Sequence, residues 1–218
     1  MFKELIAMLY SMIIVGLLLT GCNHDEKIAE QIYSNLEKSA QMEEKFAAKQ
    51  QNLSELGHEE QAAYQEITSL TMDQENQVRK KLKEAQEYNA NLKRTLNGTK
   101  ESFDKAYRNI LSVETNMEKI KAKEQKVKVS KIVQVMEKRH DLIENYYKKY
   151  ENILKLNQNL YTCMQEKDIN ATEIDKQIKT INQAHTEMLK IEEQFNQFTA
   201  KYNAAKKQYY QDRAGQGV

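Results

Sequence analysis

The chain has 218 residues, with 33 Lys and Arg against 32 Asp and Glu, so its net charge of +1 excludes the strong basic excess of a nucleic-acid binder. It contains no proline, no tryptophan, six glycines and 30% charged residues, a composition of long helices or coiled coils rather than of a sheet or a loop-built pocket. Two cysteines, one of them needed for the role described next, exclude a disulfide framework.

The first element is a leader. Lys3 and Glu4 precede an apolar stretch from Leu5 to Leu19 that is shorter than the roughly 20 residues a spanning helix needs. It closes on Leu19-Thr20-Gly21-Cys22, which resembles the bacterial lipobox. That resemblance implies cleavage after Gly21 and diacylglycerol on the Cys22 sulfur, with residues 1–21 as signal peptide and 22–27 as lipidated cysteine and tether. The competing reading is an uncleaved anchor with an incidental cysteine. Acyl chains contribute about 0.8 kcal/mol per buried methylene, so two or more chains hold a protein on a membrane stably.

From Ile28 an apolar stripe spaced three and four apart runs through Ile32, Met42, Phe46, Leu53, Leu56, Ala63, Ile67 and Leu70. Polar Asn35, Ser39, Lys49 and Glu60 occupy intervening positions of the same face. This predicts one helix from Asp25 to Ser69 that tolerates Gly57 at a cost of about 1 kcal/mol, with a break at Gly57 as the alternative. Ser69 to Asp73 reads as a turn and a new N-cap. The second stripe passes through Val78, Leu82, Ala85, Leu92, Leu96, Phe103, Ala106, Ile110, Val113, Met117, Ile120 and Val127, and predicts a helix from Asp73 to Lys126 with a weak point at Gly98.

The frame then slips, which predicts a turn at Val127 to Ser130. Ile132, Met136, Ile143, Tyr146, Tyr150, Ile153, Leu160 and Met164 carry the third helix. A loop at Asp168 to Glu173 leads into a fourth helix through Ile174, Ile178, Ile181, Met188, Ile191, Phe195, Phe198, Tyr202 and Tyr209, which frays in a tail at 214–218. The expected fold is therefore all-α, an elongated antiparallel bundle or coiled coil of four long helices over residues 28–213. Helices of about 35 to 55 residues would run roughly 50 to 80 Å. Intermolecular coiled-coil pairing is the alternative way to cover the stripes.

An ordered set of segments carries a resemblance over nearly the whole chain beyond Cys22. Ile32-Tyr33 with Leu36-Glu37, Tyr64-Gln-Glu-Ile-Thr-Ser-Leu70, Met136-Glu-Lys-Arg139 followed by Tyr146 to Tyr150, Leu160-Tyr161 with Lys167-Asp168, and Phe195 to Asn203 are similar to the YkyA-like cell-wall-binding lipoproteins of Gram-positive bacteria. The resemblance implies a lipid-anchored, all-helical envelope protein with a wall-facing role, and it carries over no binding residue.

Several residue patterns invite chemistry. Glu55-x-x-His58 and Glu137-x-x-His140 match the motif that di-iron bundles use in pairs, but both histidines lie off the apolar stripes and read as solvated. His185 falls on a stripe and reads as a core-edge histidine. Cys163 reads as a small apolar residue at a helix interface. Tyr146, Tyr150, Tyr202 and Tyr209 read as core, whereas Tyr147, Tyr161 and Tyr210 are left without a stripe. Lys119, Lys121, Lys123, Lys126, Lys128 and Lys131 are opposed in their stretch only by Glu118 and Glu124. They surround the expected turn and are candidates for contact with anionic headgroups or teichoic-acid phosphates, against the alternative of a merely solvated turn.

The functional expectation is a non-enzymatic lipoprotein on the outer face of the cytoplasmic membrane. No catalytic residue, metal ligand or cofactor is assigned beyond the acyl groups on Cys22. Its partners would be the membrane, peptidoglycan or teichoic acid, or a protein held against a helical face, and not nucleic acid. The alternatives are a coiled-coil regulator of a wall hydrolase or transporter, and a metal-binding bundle enzyme.

Overall fold

The structure, a computed structural model, describes residues 24–70, 74–165 and 171–215. The leader, Leu19, Thr20, Gly21 and Cys22 lie outside the described residues, as do Asp73, Asp168 and the last residues of the tail. Four α-helices follow one another: α1 (His24–Ser69), α2 (Glu75–Met117), α3 (Lys123–Cys163) and α4 (Ala171–Gly215). No strand occurs among the described residues. Each first turn carries acid, Asp25 and Glu26 in α1, Glu75 in α2, Glu124 in α3 and Glu173 in α4, where it offsets the positive end of the helix dipole.

The helices group into two compact units. Among the described residues, the first unit takes in those up to Ala47, Glu101–Ile143 and those from Gln194; the second takes in Ala48–Lys100 and Glu144–Glu193. Every helix contributes to both.

In the first unit, Ile32 and Leu36 of α1, Ile110 and Val113 of α2, Ile132 and Met136 of α3, and Tyr202 of α4 are wholly buried. Phe46, Phe103 and Phe195 meet edge to face, with ring centroids 5.0, 5.6 and 6.2 Å apart, a geometry that adds about 0.5–1.5 kcal/mol per pair to the burial itself. Asp25 meets Lys121 and Glu43 meets Arg139, so α1 and α3 run the same way. Tyr210 donates to Glu37 at 2.8 Å while Phe195 packs on Phe46, so α4 runs against α1.

In the second unit, Ala63 and Ile67 of α1 pack with Leu82 and Ala85 of α2 and with Tyr161 of α3, and Leu53, Leu92, Leu96 and Leu154 are buried as well. Lys49 donates to the Gly98 carbonyl at 2.8 Å while Lys81 pairs with Glu66 at 2.6 Å, which makes α1 and α2 antiparallel. The Asn89 amide donates to the Leu154 carbonyl at 2.9 Å and Gln165 to Gln86 at 3.2 Å, while Lys149 pairs with Glu187 at 2.5 Å and Gln177 donates to Cys163 at 3.4 Å, so the alternation continues through α3 and α4. Each unit is thus an up-down-up-down four-helix packing.

Both glycines stay inside unbroken helices, Gly57 in α1 and Gly98 in α2. The α2–α3 turn differs from the sequence expectation. It lies at Glu118 to Ala122, not at Val127 to Ser130, and α3 has already begun at Lys123. The cause is visible in burial: Ile120 is 5% exposed and tucks beneath the turn, whereas Val127, the last residue of the expected stripe, is 61% exposed. Val129, Ile132 and Val133 form the inward face that replaces it.

Candidate ligand site and a lysine-bearing turn

Two features stand out among the described residues, a cavity in the second unit and the turn between α2 and α3. The cavity has a volume of about 370 Å³, within the range of small-molecule sites. From α1 it takes Gly57, Glu60, Gln61 and Tyr64; from α3, Tyr150, Ile153, Leu154, Asn157, Leu160 and Tyr161; from α4, Ile178, Ile181, Asn182 and His185; and Leu92 of α2 lines it too. The spacing explains the convergence. Glu60 and Tyr64 are one helical turn apart, and Tyr150, Asn157 and Tyr161 recur at intervals of seven and four, so each set faces one way. Gln61 and Asn182 are exposed, while Tyr161 and Ile153 are buried.

Glu60 is the polar centre. Its Oε1 accepts hydrogen bonds from the Asn157 amide at 2.9 Å and from the Tyr161 hydroxyl at 2.5 Å. Burial pushes its carboxyl above the ordinary carboxylate range, and the two donors partly oppose that rise. Burial also holds the Tyr161, Tyr150 and Tyr64 phenols protonated, with the Glu60 charge adding to the effect at Tyr161 and Tyr150. His185 is pushed down by burial and is neutral near pH 7. The site therefore presents one carboxyl group, three neutral phenols and amide groups above an aliphatic floor.

In the sequence Glu60 is only a polar interruption of the first stripe, and Tyr161 falls on no stripe. Tyr147 and Tyr161, which fall on no stripe, are 3% and 2% exposed, and Tyr210 is held by Glu37 and by Tyr33, 5.3 Å away ring to ring. Two residues of opposite chemistry on neighbouring helices, Glu60 and Tyr161, were the available signal, and their pairing depends on register between helices that no single stripe encodes.

The turn is organised by Asp25. Its two carboxylate oxygens accept hydrogen bonds from the backbone N–H groups of Lys121 at 3.3 Å and Ala122 at 3.2 Å, which satisfies turn donors and fixes the start of α1 beside the turn. Of the lysines, Lys126 pairs with Glu118 and Lys128 with Glu124, each at 2.7 Å, and Lys119 donates to the Asn116 side chain at 3.1 Å. Lys121, Lys123 and Lys131 are exposed.

The motif residues divide. Glu55 and His58 are both exposed, so this Glu-x-x-His pair faces away from the interior. His140, expected to be solvated, is half-buried instead: its ring stacks on Tyr107 at 3.9 Å between centroids and its Nε2 lies 3.5 Å from Asp104. Cys163 is a free thiol, half-buried, accepting a hydrogen bond from the Gln177 amide at 3.4 Å.

Fold and surface together define an all-α bundle protein. A family profile described as "YkyA: Putative cell-wall binding lipoprotein" matches residues 27–212, and the chain belongs to that family. It is 31% identical over 204 residues to a Bacillus subtilis (strain 168) protein named "Uncharacterized lipoprotein YkyA", across 94% of this chain and 91% of that one. Its fold is similar to that in a 1.6 Å crystal structure of a conserved Staphylococcus aureus protein of unknown function, with a TM-score of 0.61, 15% identity, and coverage of 89% of this chain and 97% of the other.

Proposed function

We propose that this lipoprotein is a non-enzymatic module on the outer face of the cytoplasmic membrane, in which residues 1–21 are a cleaved signal peptide and Cys22 carries the lipid. Its helical domain, residues 28–213, holds wall polymer, peptidoglycan or teichoic acid, or a membrane partner. The lysine-bearing turn, with Lys119, Lys121, Lys123, Lys126, Lys128 and Lys131, faces the lipid surface or teichoic-acid phosphates. The observation that carries this reading is the Asp25 carboxylate bound to the backbone of Lys121 and Ala122. Asp25 is three residues from Cys22, so an acyl anchor and the lysines would share one end of the first unit.

Each lysine near an anionic surface adds about 1 kcal/mol. Lys121, Lys123 and Lys131 are exposed and should contribute most, whereas Lys126 and Lys128 already spend charge on Glu118 and Glu124. Two experiments test the proposal. Labelled palmitate should enter the wild type and not the Cys22→Ala protein, which should leave the membrane fraction. Unlipidated protein should sediment with phosphatidylglycerol vesicles, and changing Lys121, Lys123 and Lys131 to Gln should weaken that binding roughly tenfold or more. Unchanged sedimentation removes the surface contact, and absence of label removes the anchor.

A further inference from the structure

We propose that the cavity of the second unit binds a primary ammonium group carried on a short aliphatic body, gripped by the Glu60 carboxylate and the faces of the neighbouring tyrosines. The proposal does not rest on the anchoring reading above and survives its failure.

The first unit supplies the comparison. There a carboxylate of α1, Glu43, is met by Arg139 of α3 at 2.5 Å, and the guanidinium lies over the rings of Phe103, Phe195 and Tyr202 at 5.3, 5.1 and 4.6 Å. Carboxylate, cation and aromatic faces are all provided by the chain. In the second unit the α1 carboxylate is Glu60, and the α3 residue standing opposite it is Asn157, 97 positions away, much as Arg139 stands 96 positions from Glu43. Tyr64, Tyr150 and Tyr161 bring aromatic rings to the cavity lining. The protein's own cation is what differs: no lysine or arginine is among the residues lining this cavity. Asn157 and Tyr161 are neutral donors, so they solvate the Glu60 charge without neutralising it.

A carboxylate desolvated by burial beside electron-rich rings attracts a cation more strongly than either feature alone, because burial weakens the screening of its charge. The ammonium can donate to Glu60 while exposed Asn182 and Gln61 accept at the mouth. Ile153, Leu154, Ile178 and Ile181 form the surface on which methylenes would lie. That combination fits an alkylammonium better than a polyhydroxylated sugar, which would leave the aliphatic surface wet.

Calorimetric titration of the wild-type protein with n-butylammonium and with its neutral isostere 1-butanol tests the charge requirement. Butylammonium should bind about tenfold or more tightly than the alcohol, and its methylene proton resonances should shift upfield under the tyrosine rings. Glu60→Gln, which keeps the oxygen that Asn157 and Tyr161 use, should lower butylammonium affinity by a similar factor with helix content unchanged by circular dichroism. Nα-acetyl-lysine amide, titrated in parallel, separates an ammonium on a peptide side chain from a free amine, the tighter of the two being the source. Equal binding of amine and alcohol, or no binding of either amine, overturns the proposal, and this comparison needs no variant to fold.

Discussion

Arg139 and Glu43 are 2% and 7% exposed, yet they form a charge pair in the middle of the first unit. Each guanidinium nitrogen has a partner, since Nε also donates to Thr199 at 3.1 Å and Nη1 to the Met136 sulfur at 3.1 Å. Removing one partner strands the other charge. Arg139→Met should lower unfolding free energy by about 3–5 kcal/mol in urea, while Arg139→Met with Glu43→Leu should recover most of it, because two apolar side chains replace the pair without a buried charge. Glu43 was not legible as an interior residue. It shares the inward face with Leu36 and Ser39, but adjacent Met42 is apolar and draws the stripe one position away.

Glu60 gives the opposite sign at the same scale. Its folded carboxyl is held above the unfolded value, chiefly by burial, so its contribution to stability is greatest when protonated, below the unfolded carboxylate range, and is lost as pH rises through the raised folded value. Glu60→Gln should therefore raise Tm at pH 7, and the gain should shrink as pH falls through the acid range. A Tm difference that stays constant with pH would contradict the desolvated carboxylate.

At the scale of the element, helix type and number were legible because apolar residues recur every three or four positions over more than 40 residues in each helix. The glycines did not disturb that pattern. A methyl added at Gly57 would lie 3.6 Å from the Tyr150 hydroxyl, and one at Gly98 would lie 3.9 Å from the Lys49 ammonium, both ordinary contacts. Gly57→Ala and Gly98→Ala should each stabilise by about 0.5–1 kcal/mol in chemical denaturation. The turn before α3 was misplaced for a physical reason. Its position is set by Ile120 turning inward and by Asp25 binding its backbone from 96 and 97 residues away, and neither is a local pattern. Val127→Lys should then change stability by no more than about 0.5 kcal/mol, while Ile120→Ala should cost about 2–5 kcal/mol. Had the second stripe run on to a turn at Val127, both substitutions would be costly.

At the scale of the whole molecule, each helix lends one stretch to each of two units that handle buried charge differently. The first unit closes its carboxylate with an arginine, and the second surrounds its carboxylate with neutral donors beside a cavity. That contrast lay beyond the sequence because composition counts charges without saying which helix faces which. Lipoprotein membership of the family, by contrast, was readable from ordered segments spread over nearly the full length of the chain.

The bond from Asp25 to the turn also sets a length of leash. Three residues can span at most roughly 11 Å when fully drawn out, and Asp25 is pinned to Lys121 and Ala122. If Cys22 carries a lipid, the start of α1 would consequently have almost no slack, and the turn bound to Asp25 would be held close to the bilayer. Inserting a flexible ten-residue spacer after Asn23 would free it to roam, leaving fold and lipid untouched while dissolving any advantage that comes from standing still.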